Sequence, residues 1–194
     1  MTIPMSQLND TPLWHDRERW YAATSFLERM FNNYGSELSE VTEYANELGK
    51  RIDAVSPFIQ DNTASVCPLC PKVCCINVHG YYDHNDLTYI YALGLRPLRY
   101  KEGLNDTGPC QFLSRDGCGL ERPVRPFRCN WYFCRRLTQQ MEDGPARPYR
   151  QFVNRFQEVV DLRRLMLDEF SCRVNLLAPQ EEGFASLYMK SVKS

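Results

Sequence analysis

Two stretches decide how this chain is read: CPLCPKVCC, residues 67–75, and CQFLSRDGCGLERPVRPFRCNWYFC, residues 110–134. Together they hold eight of the nine cysteines in a chain of 194 residues. Cys67 and Cys70 have the C-x-x-C spacing, in which a tight turn points two sulfurs to one side. Zinc knuckles and iron–sulfur loops both use that device. The prolines that follow Cys67 and Cys70 stiffen the turn and oppose its continuation as a helix.

Cys74 and Cys75 are adjacent. In extended chain, neighbouring side chains point in opposite directions. The pair therefore admits three arrangements: one thiol is spare, the two serve different metals, or they flank a polynuclear cluster. A tetrahedral zinc site or a cubane cluster each needs about four ligands, so the second stretch must contribute. There, Cys110-Gln-Phe-Leu precedes Asp-Gly-Cys118-Gly, and Gly117 and Gly119 let backbone approach a metal closely. Cys129 and Cys134 lie five apart and share a helical face poorly. The expected metal ligands are Cys67, Cys70, Cys74, Cys75, Cys110, Cys118 and Cys129, with Cys134 next, either a peripheral ligand or a core thiol. Thiolates suit zinc and iron–sulfur clusters alike. The irregular spacing and the adjacent pair differ from a zinc ribbon and tilt the expectation toward an iron–sulfur cluster of the [4Fe-4S] type, with zinc as the alternative.

Composition sets the frame. Hydrophobic residues make up 43%, charged residues 24%, and the net charge is −1. These values exclude a disordered or low-complexity chain and give no overall charge for nucleic acid or membrane. The opening MTIPMSQLNDTPLW lacks the basic region and apolar run of a secretory signal. No stretch approaches the roughly 20 apolar residues of a membrane span. A cytoplasmic chain is expected, where reduced thiols favour metal over structural disulfides.

Outside the cysteine stretches the patterning is helical. Residues 11–34 predict a first helix, capped by Thr11 with Pro12 in its first turn and stopped at Gly35, with Leu13, Trp20, Leu27, Phe31 and Tyr34 at helical spacing. Residues 37–60 predict a second, with a stripe of Leu38, Val41, Ala45, Leu48, Ile52, Val55 and Ile59 and a kink or early end at Pro57. The short connection makes these a hairpin, and the stripe is expected to pack within the chain rather than on a partner. Residues 63–82 read as loop. A short helix is expected at 86–93, with Asn85 as cap, Asp83 and Asp86 in capping rather than chemical roles, and Gly94 as stop. Residues 95–128 show little periodicity beyond a short strand at Gln111–Leu113. A helical turn is expected over 129–137 and a long helix over 149–176, whose buried side carries Phe152, Phe156, Val159, Leu162 or Arg163, Met166, Phe170 and Val174. Cys172 falls within that helix and reads as a core residue. The expected fold is mostly α: one domain over 1–194, with a helical hairpin (11–62) and a C-terminal helix (145–178) around an irregular, metal-organised cysteine core (63–137).

At this point the motifs resemble the YkgJ-type cysteine-cluster family, described as a zinc- or iron-chelating domain and named for a CxxCxxCC motif. The resemblance runs from Cys67 to Cys129. It rests on the first cysteine group, Asp86 and Leu87 of the short helix, Cys110-Gln-Phe-Leu, and the phrase GCGLERPVRPFRC, in which Cys118 is followed by Arg122-Pro123 and Cys129. The chain departs by having three residues between Cys70 and Cys74 where the family has two, and Cys134 lies outside the shared pattern. The resemblance implies metal chelation. Flagellin lysine N-methylases carry a similar cysteine domain, which gives an analogy to methyl transfer that nothing else in this sequence supports.

The remaining candidates have simpler readings. His79 and His84 are expected to be hydrogen-bonding loop histidines rather than ligands. Charge is uneven, with −5 over residues 1–62 and +4 over residues 110–175. Arg115, Arg122, Arg125, Arg128, Arg135 and Arg136 interleave with Trp131, Tyr132 and Phe133. A nucleic-acid surface is one reading of that stretch. The favoured one is that arginines offset a negative thiolate centre. No Gly-rich phosphate loop, G-x-S-x-G or H-E-x-x-H occurs, and metal-bound thiolates make poor nucleophiles. Two function classes follow: an iron–sulfur protein acting in redox or cluster-dependent modification with an unidentified protein or redox partner, or a structural zinc interaction module. Metal storage or delivery is a third.

Overall fold

All seven residues of the Leu38–Ile59 stripe are buried, and the six from Val41 onward lie in a helix longer than the sequence pattern predicts. The computed structural model describes residues 13–177 and is mostly helical. Its described residues divide into two compact units: residues 13–45, 81–102 and 164–177 form one, residues 46–80 and 103–163 the other.

In the first unit, α1 spans Arg17–Asn33 after a 3-10 turn at Leu13–His15. Thr11 and Pro12, the expected cap and first-turn proline, lie outside the described residues. The cap is Asp16, whose Oδ1 accepts a hydrogen bond from the Arg19 amide at 3.0 Å. Such a cap satisfies one of the amides that a helix start leaves without a partner. Trp20, Ala23, Phe26, Leu27 and Met30 form its buried face. At its far end the structure differs from expectation. Gly35 is not in the left-handed conformation; Tyr34 closes the helix with its amide donating to the Met30 carbonyl. Gly35 matters for space instead, because a Cβ there would lie 3.1 Å from the Phe31 carbonyl oxygen. The second helix, α2, begins in this unit; it spans Ser39–Val66. Phe31 stacks on Phe170, ring centres 5.7 Å apart, and Arg173 pairs with Glu40 at 3.4 Å.

Helix α4, His84–Ala92, packs on α1. Its cap is Asp83, not Asn85. Asp83 accepts from the Asp86 amide at 2.7 Å, and Asp86 accepts from the Asp83 amide at 3.2 Å. This reciprocal box satisfies two donors at once, so both aspartates cap as expected. Gly94 ends the helix at φ 71°, a conformation that costs a side-chain-bearing residue more than glycine.

In the second unit, α2 passes through Pro57 and continues to Val66. A proline removes one hydrogen bond, but Val55 and Ile59 on either side are both buried. The chain from 63 is therefore helix, a 3-10 turn at Cys67–Leu69, and a single helical turn α3 at Cys74–Asn77, rather than continuous loop. The long helix α7 spans Ala146–Leu177 and so starts before the predicted 149; Pro148 is accommodated in its first turn. Phe58 stacks on Phe152 at 4.5 Å, and Arg51 pairs with Glu158 at 2.8 Å, so α2 and α7 run antiparallel here. Phe133 packs edge-on against Phe152 and Phe156. Between these helices lie a two-residue strand pair, β1 Leu113–Ser114 and β2 Gly117–Cys118, shifted from the expected Gln111–Leu113, then α5 at Arg128–Trp131 and α6 at Arg135–Asp143. Among the described residues no helix is long and apolar enough to cross a membrane.

Burial pushes the His84 imidazole from its ordinary 6.5 down to about 4; Arg19 adds to this and Asp83 opposes it. A lowered folded-state pKa gives stability that is complete above pH 6.5 and is lost as the pH falls toward 4. We expect urea-unfolding free energies of the wild-type chain to drop between pH 7 and pH 4 by up to about 3 kcal/mol more than those of His84→Asn. Parallel pH profiles for the two proteins would show that His84 is not held neutral.

Candidate metal centre

The first cysteine group sits where α2 gives out. The Cys70 amide donates to the Cys67 carbonyl at 3.1 Å, which closes the C-x-x-C turn. Pro68 occupies that turn and Pro71 follows Cys70. Val73 precedes α3, so Cys74 and Cys75 are its first two residues. They are helical, not extended, and successive helical side chains diverge by about 100°. The Val78 amide donates to the Cys74 carbonyl at 2.7 Å and completes the turn.

The second group is drawn to the first by backbone. The Cys110 amide donates to the Cys75 carbonyl at 2.9 Å. His79 is buried, and its Nε2 accepts from the Gln111 amide at 2.9 Å. The Gln111 side chain donates to the Gly80 carbonyl at 3.2 Å, and the His79 amide to the Asp106 carbonyl at 3.3 Å. His79 therefore pins one loop to another, as a hydrogen-bonding histidine does. The Leu113 amide donates to the Cys110 carbonyl, and Cys118 faces Leu113 across the strand pair. Cys129 lies on α5 and Cys134 caps α6. Gly80 has no side chain for a spatial reason: a Cβ there would lie 3.1 Å from the Cys110 sulfur and 3.8 Å from the Cys129 sulfur.

All nine cysteines are free thiols. Their mutual effects separate into two neighbourhoods. Cys67 is pushed up by burial, then by Cys134, Cys74 and Cys70. Cys74 is pushed up by burial, then by Cys134 and Cys70, while Arg128 draws it down. Cys75 is pushed up by burial, then by Cys110 and Cys118, with Cys74 and Cys67 last. Cys129 keeps exposed surface, yet the protein packed around its thiol pushes it up to about 12; Cys110, Cys75 and Cys118 add to this and Arg125 opposes it. Among the described residues, no group of three or more His, Cys, Asp or Glu side chains is closed up as ligands of a metal ion.

The arginines lie close by. Arg122 donates from Nε to Ser56 Oγ at 3.0 Å and from NH1 to the Cys129 carbonyl at 3.4 Å. Burial lowers it to about 10, Arg125 adds to the lowering, and Cys129, Cys118 and Cys75 pull it back up. Arg125 also donates to the Leu120 carbonyl at 2.9 Å, and Arg128 lies 5.5 Å over the Tyr132 ring. Trp131 and Tyr132 are exposed. Two cysteine and histidine candidates stand apart: His84 and Cys172 both belong to the other unit. Cys172 is exposed, not core, because two residues beyond Phe170 is about 200° around a helix. Ser56 and Gly80 contribute to the centre without any sequence signal, since only the fold brings them near Arg122 and the sulfurs. The chain matches no family model, no curated protein and no solved structure.

Two outcomes follow from this geometry. In metal-depleted protein that keeps its helical signal, iodoacetamide near pH 8.5 should label Cys129 roughly tenfold or more slowly than exposed Cys172, read by peptide mass mapping. Equal rates would mean that the packing does not hold Cys129 neutral. Gly80→Ala should lower stability in urea by about 1–3 kcal/mol. A neutral result would show that the Cys110 sulfur is free to retreat.

Proposed function

We propose that this chain is a cysteine-ligated metal protein whose ligands, drawn from Cys67, Cys70, Cys74, Cys75, Cys110, Cys118, Cys129 and Cys134, hold iron–sulfur for redox or cluster-dependent modification chemistry. The observation that carries this reading is the gathering of eight unpaired thiols into one unit, beside arginines of the same unit. The donor set fits the group. Thiolates are soft ligands, Gly80 leaves room beside the Cys110 sulfur, and Arg122, Arg125 and Arg128 supply positive charge near sulfurs that would be ionised on binding. When bound, a cluster supplies electron transfer at a potential set by burial and hydrogen bonding around its sulfurs. The chain's own part is to hold the sulfurs and to offset their charge. The motif resemblance to the YkgJ-type family supports metal chelation and names no reaction.

One observation favours a second reading, structural zinc. The connection from Leu95 to Phe127 holds only a two-residue strand pair and a 3-10 turn, and a closed thiolate site stabilises such chain by tying its segments together.

Protein expressed with ample iron and purified without oxygen should contain about four irons per cluster, matching sulfide, and a broad band near roughly 400 nm that bleaches on reduction. Colourless protein holding zinc, and losing thermal stability when the zinc is chelated, would replace the cluster with the structural site. Protein with neither metal would overturn metal binding itself.

A further inference from the structure

The adjacent cysteines have a consequence for how many centres there are. Cys74 and Cys75 open α3 and diverge around it. Each has different company. The closed Cys67–Cys70 turn lies just before Cys74 in the chain, and Cys70 and Cys134, at the start of α6, both act on its thiol. Cys75 is tied through its carbonyl to the Cys110 amide. Cys110 and Cys129 both approach the open side of Gly80, and Cys118 acts on Cys75 and Cys129 alike. The arginines follow the same division: Arg128 acts on Cys74, while Arg122 and Arg125 lie by Cys129.

We propose that the eight thiols form two separate metal centres, Cys67–Cys70–Cys74–Cys134 and Cys75–Cys110–Cys118–Cys129, joined through the Cys74–Cys75 peptide. This rests on the metal-binding reading and deepens it. Four ligands complete a tetrahedral thiolate site or a cubane, so two fours use every cysteine of the unit and leave none over. Cys134 becomes a ligand of full standing, although it lies outside the shared motif. The two centres differ in construction. Three ligands of the first come from one short stretch of chain, residues 67–74. The second draws its four from α3, the segment before β1, β2 and α5, so it cross-links chain that little regular structure holds.

The test counts iron, sulfide and zinc in the full chain and in Cys→Ser variants, with Cys172→Ser as a control. The wild-type chain should hold two equivalents, as about two zincs, about eight irons, or one zinc with about four irons. Cys67→Ser and Cys134→Ser should each lose one centre, and so should their double variant. Cys110→Ser and Cys129→Ser should lose the other. A double variant drawn from both groups should lose both, and Cys172→Ser none. X-ray absorption on the wild-type metal needs no variant and should give about four sulfur ligands per metal, with no nitrogen. One centre per chain, or Cys134→Ser with full metal, or nitrogen in the coordination shell, would overturn the division while leaving metal binding intact. A wild-type chain without metal would overturn both.

Discussion

Burial of clustered thiols is the constraint that marks the cysteine-bearing unit, with their nearness to one another adding to it. A thiolate is unfavourable where protein has displaced water, and more so beside another thiolate. Cys129 shows both effects and is pushed up to about 12. An uncharged thiol costs little to bury, and a nearby positive charge eases its ionisation. The guanidinium groups of Arg122, Arg125 and Arg128 lie near enough to these sulfurs to act on them. Arg122 shows how such a group is held. It is half-buried, which lowers its pKa to about 10 but leaves it charged at neutral pH, and it is fixed by Ser56 of α2 and the Cys129 carbonyl. A long helix thus helps to position a positive charge beside the irregular chain.

The helices were legible because their information is local. Each residue of the α2 stripe lies three or four from the next, and all seven are buried. The same periodicity places Phe152, Val159, Met166, Phe170 and Val174 inside α7. Gly94 ends α4 at positive φ, and Asp83 with Asp86 begins it. Where the reading missed, an energy beyond the local pattern decided. Pro57 does not stop α2, whose buried stripe continues past it. Gly35 makes room for the Phe31 carbonyl rather than turning left-handed. Cys172 stands in a periodic helix but on its exposed side.

The candidate centre was legible in its parts and illegible in its arrangement. Eight thiols in two stretches stand out as a group whatever the fold, and thiolates are soft ligands. Which thiol meets which depends on contacts between distant segments, such as the Cys75 carbonyl with the Cys110 amide and His79 with Gln111. None of these leaves a periodic trace. The adjacent pair is the sharpest case. Spacing alone left three arrangements open, and the short turn of α3 that separates the two side chains is too brief to be read from propensity.

The same physics bears on the arginine-rich stretch. Read as composition, six arginines among aromatics suggest a surface for nucleic acid. In the fold, the aromatics divide by side: Phe133 packs on Phe152 and Phe156, and Arg163 lies 4.3 Å over Phe127, while Trp131 and Tyr132 face outward. The arginines divide as well. Arg122 and Arg125 bond to carbonyls at 129 and 120, and Arg128 covers Tyr132 and acts on Cys74. A guanidinium held in this way already has partners inside its own unit. Half of the basic stretch thereby lies against the thiols and backbone of its own unit, so composition alone overstates the cationic surface it leaves for an outside anion.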